Sequence, residues 1–304
     1  MKNKLIIRMS NDLGNQMFMY AFAYSFSRKI DRELLIDNET AYNFKKNKKK
    51  FKLDIFNYSS KLAPNELKFL GINGYIKRKY LMLIDKFKAN KSFYIEKKSS
   101  NKTTFYNNDY LLGNYHNNLF IEGHFETDKY FNDCVNEIKR EFLFKDIDKF
   151  KSDPLYRRIQ SSESVCICVR QHRFSERTRN ISTKDHKDSK IFMEDQIKYI
   201  KRAIDVLKSR INNPVFYLWS NDLSNLDQYF PFDKYHPVNK TNIGLELFLM
   251  TQAKHFIVIP STYNWWGAWL SNAKNKTIIR PSERVFTNFE VNNKDFWPTS
   301  WLKV

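Results

Sequence analysis

The sequence predicts an α/β protein of two parallel-sheet units joined near residue 155, and three observations carry that prediction. Short apolar runs of strand length recur along the chain, separated by stretches long enough for a helix, which is the spacing of βαβ units. Most runs end in a polar turn, where ligands of such sheets bind. A polar stretch from Lys145 to Ser164 interrupts the series and reads as a connection, dividing the chain into residues 1–155 and 156–304.

In chain order, Leu5 to Met9 reads as the first strand and Ser10 to Gln16 as a glycine-containing turn. The apolar run Met17 to Phe26 is too long for a strand and reads as a buried helix. Glu33 to Asp37 is the next strand. From Tyr42 to Asn118 the chain is basic, with Lys45-Lys46-Asn47-Lys48-Lys49-Lys50 and a Tyr75 to Phe93 stretch interleaving Lys and Arg with Tyr, Leu, Ile and Phe. It reads as helices with exposed basic faces. Asn118 to Gly123 is a strand and Asp128 to Phe142 an amphipathic helix. The second half gives strand Val165 to Val169, a polar loop, helix Asp195 to Ser209, strand Val215 to Trp219, a helix, strand Phe256 to Ile259, helix Trp265 to Ala273 and strand Thr277 to Ile279. There is no internal repeat.

Of the 304 residues, 42% are hydrophobic and 16% aromatic, which excludes global disorder. Seven glycines and eight prolines exclude collagen-like and low-complexity classes. A net charge of +19 attracts phosphate, nucleic acid or an anionic membrane. Cys134, Cys166 and Cys168 are odd in number and form no C-x-x-C, so a reducing cytoplasm fits. The start, Met1 to Arg8, is too short an apolar stretch for a signal peptide, and no run approaches 18 apolar residues. The expectation is a cytoplasmic protein that does not span a membrane.

The strand ends hold the candidate chemistry. Asp12-Leu13-Gly14-Asn15-Gln16 has a single glycine, so it is neither a dinucleotide fingerprint nor a Walker loop, and a tight turn is its plainer reading. Arg170 leaves the strand Val165–Val169 as a fixed bidentate donor suited to a diphosphate, with Arg173 and Arg177 nearby; a solvated charged loop is the alternative. Asn221 and Asp222 follow Trp219, and by base rate such residues cap a helix; with a nucleotide present they would face a guanine. Ser261 and Thr262 precede a helix start suited to phosphate, while most of Trp265, Trp266 and Trp269 read as core. His124 and His255 read equally as hydrogen-bonded structural residues or catalysts. Neither the histidines nor a D-x-D pattern supplies a metal site, so no metal or other cofactor is expected.

Four segments resemble the bacterial α-1,2-fucosyltransferases of glycosyltransferase family 11: Leu13 to Ala23, Gly123 to Phe131, Glu246 to His255 continuing into Ser261 to Leu270, and Phe296 to Trp301. The resemblance runs from end to end. Two places depart from it. The family's His-x-Arg-Arg-Gly-Asp is here Cys168-Val169-Arg170-Gln171-His172-Arg173, and two family glycines are replaced by Asn11 and Asp12. The resemblance implies a GT-B enzyme, two Rossmann-like domains with a cleft between them, GDP-β-L-fucose held mainly by the second and a galactose-containing glycan approached from the first. It implies inverting, metal-independent transfer to a galactoside 2-hydroxyl. The donor-binding residues would be Asn15, Arg170, Asn221, Asp222, Glu246, Ser261, Thr262 and Tyr263, with Arg170 stabilising the leaving GDP. Arg173 stands where the family offers an aspartate. The general base is therefore sought in Glu176, ahead of Asp12 and His172.

Three other readings compete. Another GDP-deoxyhexose would be separated by a donor panel. A nucleic-acid-binding protein is suggested by the charge but lacks a reading motif. An inactive binding protein would show no transfer. The basic middle is expected to rest peripherally on an anionic membrane, with a solvated lysine-rich face weighing equally.

Overall fold

The computed structural model describes residues 2–42, 49–97, 105–176 and 181–304. The chain forms two units, the first comprising Met1–Lys145 with Lys294–Phe296, the second Asp146–Asn293 with Trp297–Val304. The division falls ahead of the expected residue 155. The supposed connection is two helices, α4 (Ile147–Lys151) and α5 (Pro154–Ser161), that pack on the second unit. Asp153 caps α5 by accepting from Leu155 N at 2.9 Å, with Pro154 at the first helical position. Residues 294–296 return to the first unit because the buried Asp295 carboxylate accepts from Tyr106 N at 3.0 Å and Lys129 Nζ at 2.5 Å.

The first unit contains β1 (Lys4–Arg8), α1 (Leu13–Lys29), β2 (Glu33–Asp37), β3 (Lys61–Leu62), α2 (Gly71–Asp85), β4 (Lys91–Ile95), β5 (Tyr115–Glu122) and α3 (Val135–Glu141). Its sheet is parallel, in the order β3-β2-β1-β5-β4. Helix α1 is apolar nearly all round and buried accordingly, with Phe22 stacked on Phe125. Its one fully buried amide, Gln16, is satisfied: Nε2 donates to Asn11 O, Tyr42 Oη and Lys50 O, each at 2.9 Å, and Oε1 accepts from Lys52 N at 2.8 Å.

Two expectations for this unit fail. Among the described residues the middle holds one α-helix, α2, and the strands β3 and β4, the latter because Phe93, Tyr94 and Ile95 pair in parallel with Phe120, Ile121 and Glu122 of β5. The helix expected over 128–142 is broken into two 3-10 turns before α3, since Phe131 and Cys134 take φ of −140° and −134°, outside the helical region. The run Lys45 to Lys48 lies outside the described residues.

After α5, the second unit continues with β6 (Glu163–Val169), α6 (Thr183–Lys208), β7 (Pro214–Ser220), β8 (Tyr235–Val238), α7 (Ile243–Thr251), β9 (His255–Ile257), α8 (Thr262–Leu270), β10 (Ile278–Arg280) and β11 (Leu302–Lys303). Again every pairing is parallel, in the order β11-β10-β9-β6-β7-β8. Helix α6 begins well before the expected Asp195, at a capping box in which Ser182 Oγ accepts from Asp185 N and Asp185 accepts from Ser182 N. Trp265 and Trp266 are fully buried, and Trp269 nearly so.

Candidate functional site

Strand β6 lies between β9 and β7, so parallel pairing brings three polar turns to one edge of the second sheet: Arg170 to Glu176 after β6, Asn221 to Ser224 after β7, and Ser261 with Thr262 after β9. Arg170 is gripped by its backbone. Gln196, fully buried on α6, accepts from Arg170 N at 2.9 Å and donates to Arg170 O at 3.3 Å. This positioning residue escaped sequence reasoning, and its only signal was a glutamine on the apolar side of a helix.

The Arg170 guanidinium meets Glu176, with Nε 3.1 Å from Oε1 and Nη2 on the same oxygen. The two residues assigned separate catalytic parts are thus an ion pair. The adjoining His172 has φ +57° and stands where the family motif has glycine, which shows why a glycine suits that place; histidine is among the side chains that tolerate the left-handed region. Arg173, at the family's aspartate position, lies over the Phe289 ring at 4.2 Å. Cys168, at the family's histidine position, is buried in β6 with its sulfur 3.6 Å from that of Cys166. Arg177 lies outside the described residues.

No helix follows β7 directly, so Asn221 and Asp222 do not cap one. Asn221 Oδ1 accepts from Gln171 N at 2.8 Å and its Nδ2 donates to Gln171 O at 3.1 Å, committing the amide to the β6 loop. Asp222 accepts from Ser224 N at 2.9 Å and meets His172 Nε2 at 3.0 Å. Hydrogen bonds from Ser224, then from His172, hold its carboxyl below the usual carboxylate range. Gln171 Nε2 completes the stitching by donating to Asp222 O and Ser224 O.

At the third turn, Ser261 precedes α8 in extended backbone, and its side chain makes no capping bond. The first turn of α8 carries no acidic residue, leaving its N–H groups and dipole suited to an anion. Tyr263 Oη donates to Ile243 O at 3.4 Å, joining α8 to α7, and burial pushes its phenol well up. Glu246 in the first turn of α7 is half-buried, and among the described residues its carboxylate has no hydrogen-bond or ion-pair partner. Burial pushes it up from 4.5 to about 7.

That shift has a consequence for stability. A raised acid binds its proton more tightly in the native state, so stability is greatest below about pH 4.5 and falls as pH rises through 7. Glu246→Gln is expected to match the parent near pH 4 and to exceed it by about 2 kcal/mol at pH 8, discounted for the half-exposed position. Urea unfolding at the two pH values measures this, and an unchanged difference would place the carboxylate in water.

The other two assigned residues, Asp12 and Asn15, belong to the first unit. Asp12 pairs with Lys52 Nζ at 2.6 Å, and Lys49 Nζ is 3.9 Å away. Asn15 Nδ2 donates to Glu126 Oε1 at 2.5 Å. Asn11, where the family has glycine, takes φ +62°, and its amide is 2.6 Å from His124 Nε2. His124 in turn has Nδ1 3.6 Å from Glu126 Oε1. The first sheet therefore has its own polar edge of Asn11, Asn15, His124 and Glu126, in which sequence reasoning singled out Asn15 and weighed His124 but missed Glu126. His255, by contrast, is buried and structural: Nδ1 accepts from Thr277 N at 3.1 Å and Nε2 faces Glu163 at 3.4 Å.

Among the described residues no three or more His, Cys, Asp or Glu side chains gather as metal ligands, and no helix is long and apolar enough to cross a membrane. The family model of Glycosyl transferase family 11 matches residues 2–303. An α-1,2-colitosyltransferase of Escherichia coli is 24% identical over 99% of this chain and 98% of its own. The O-antigen biosynthesis glycosyltransferase WbnK of Escherichia coli is also 24% identical, over 97% and 99%. Among solved structures, the fucosyltransferase NodZ from Bradyrhizobium superposes with TM-score 0.52 at 14% identity, over 88% of this chain and 91% of that one. FUT1 of Arabidopsis thaliana, in complex with GDP, gives 0.53 at 12% identity, over 93% and 72%.

Proposed function

This chain belongs to glycosyl transferase family 11 and has the GT-B fold, and on that premise we propose that it moves L-fucose from GDP-β-L-fucose to the 2-hydroxyl of a galactoside in a surface glycan, with inversion. The observation that carries the reading is the edge of the second sheet, where Arg170 stands between the Asn221–Asp222 turn and the N-terminus of α8. A guanidinium and a helix N-terminus are the groups a departing nucleoside diphosphate needs.

In the proposed reaction the acceptor oxygen attacks the anomeric carbon and the bond to the β-phosphate oxygen breaks. Arg170 and the first turn of α8 take up the charge of the leaving GDP, without a metal. Ser261 and Thr262 cradle the diphosphate. Asp222, ionised and anchored by Ser224, presents its carboxylate side to the guanine, while Asn221 contributes by fixing the loop that carries Arg170. A base takes the acceptor proton, and Glu176 is assigned that part once the diphosphate draws Arg170 away from it.

A second reading, transfer of colitose or another deoxyhexose from its GDP-sugar, is supported by the colitosyltransferase among the relatives and by the altered residues 171–173. The test is incubation with GDP-fucose and other GDP-deoxyhexoses, a galactoside panel and a chelator, with the product linkage read by NMR. Thr262→Val is expected to weaken GDP binding about tenfold by calorimetry, the cost of one hydrogen bond to a charged group, with an unchanged thermal transition. Equal affinity in mutant and parent would move the diphosphate elsewhere.

A further inference from the structure

Helix α2 faces its own sheet along one line. Arg78 Nε donates to Glu122 Oε1 at 2.6 Å, and Asp85 accepts from Ser92 N at 2.6 Å and Phe93 N at 3.2 Å. Residues 78 and 85 are two turns apart and mark the inward side. On the opposite side, Ile72, Ile76, Tyr80 and Leu83 recur at helical spacing, and Phe87 continues the line just beyond the helix. They are 71%, 58%, 61%, 58% and 87% exposed. A contiguous apolar stripe of this size in water marks an interaction surface.

Its borders state the partner's charge. Lys77 lies on one flank, Lys79 and Lys86 on the other, and Lys88 follows Phe87; all four are exposed. The one acidic residue between 71 and 91 is Asp85, which is buried on the inward side. Tyr75 and Tyr80 add aromatic rings of the kind that favour a headgroup layer, and Lys79 Nζ lies 5.7 Å from the Tyr75 ring. Apolar stripe, lysine borders and aromatic rings together describe a helix lying in a membrane interface. A second copy of the chain would set lysines against lysines.

We infer that α2 and Phe87 dock on a bilayer containing anionic lipid, with the stripe toward the acyl chains and the lysines on the phosphates. The inference is independent of which sugar the enzyme transfers. It is tested by sedimenting the full chain with phosphatidylcholine vesicles, with and without phosphatidylglycerol. Binding is expected only to the anionic vesicles and is expected to fade in high salt. Lys79→Gln with Lys86→Gln should lower partitioning roughly 25-fold, about fivefold per lysine. Leu83→Ser with Phe87→Ser should lower it about tenfold or more. Both variants should keep the parental circular dichroism and, because they lie outside the second unit's edge, the parental rate on a soluble acceptor. Failure to sediment at low salt, or parental partitioning by both variants, overturns the inference. A dimer in light scattering that Leu83→Ser with Phe87→Ser dissociates would assign the stripe to a second copy instead.

Discussion

Arg170→Ala is expected to lower turnover roughly 100- to 1,000-fold, the usual cost of removing one fixed donor from a developing anion. The fold should be little affected, because Gln196 holds the backbone of residue 170 and not its side chain. Arg170→Lys should not rescue the rate, since a point charge does not reproduce two parallel donors. The measurement is kcat at saturating donor and acceptor beside a thermal melt. A near-normal rate in Arg170→Ala removes this residue from the diphosphate site; a large fall in melting temperature would instead reveal a structural part for the pair with Glu176.

Glu176→Gln is expected to cost between about 100- and 10,000-fold in turnover, the range spanned by general bases. Its second effect has the opposite sign. Glu176 occupies the Arg170 guanidinium, so on the proposed reading it competes with the diphosphate, and a neutral amide competes less. GDP affinity should therefore rise while the rate falls, and the acidic limb of the pH profile should disappear. If affinity falls together with the rate, Glu176 is a positioning residue that aims Arg170, and the proton is taken elsewhere. Asp12→Asn and His172→Asn serve as comparators. Asp12 is held by Lys52 and His172 by Asp222, so each is expected to keep most of its rate and its acidic limb.

The unit-1 edge adds a control to that series. Glu126 receives Asn15 Nδ2 and lies near His124, so Asn15→Ala removes one donor from that carboxylate. A change in GDP affinity in that variant would count for a donor-binding part for Asn15, as the family resemblance implies.

The sequence by itself determined the alternation of strands and helices, the polar turns that end β6, β7 and β9, and the family to which the chain belongs. The first two rest on periodicity and turn chemistry, which act over a few residues, and the family on the motif segments 13–23, 123–131, 246–270 and 296–301. The short strands β8 and β11 were not legible, because a few residues containing Pro237, or only two residues, carry no period. Nor was the break at Phe131, where tertiary packing overrode an amphipathic pattern. What only the tertiary structure decided is the partner of each polar side chain. Gln196, which local reasoning passed over, reaches Arg170 across 26 residues, and Asn221, which it offered as a cap or a base reader, reaches Gln171 across 50, so both hold a loop. Glu176 is six residues from Arg170, yet its pairing depends on His172 adopting positive φ and folding the loop back. The exposed stripe of α2 belongs to the same class: its residues are apolar enough for a core, and only the burial of Asp85 and the pairing of Arg78 with Glu122 turn them to the outside. A long side chain takes whichever donor or acceptor the fold brings within about 3 Å, and that choice is made by segments far apart in the chain.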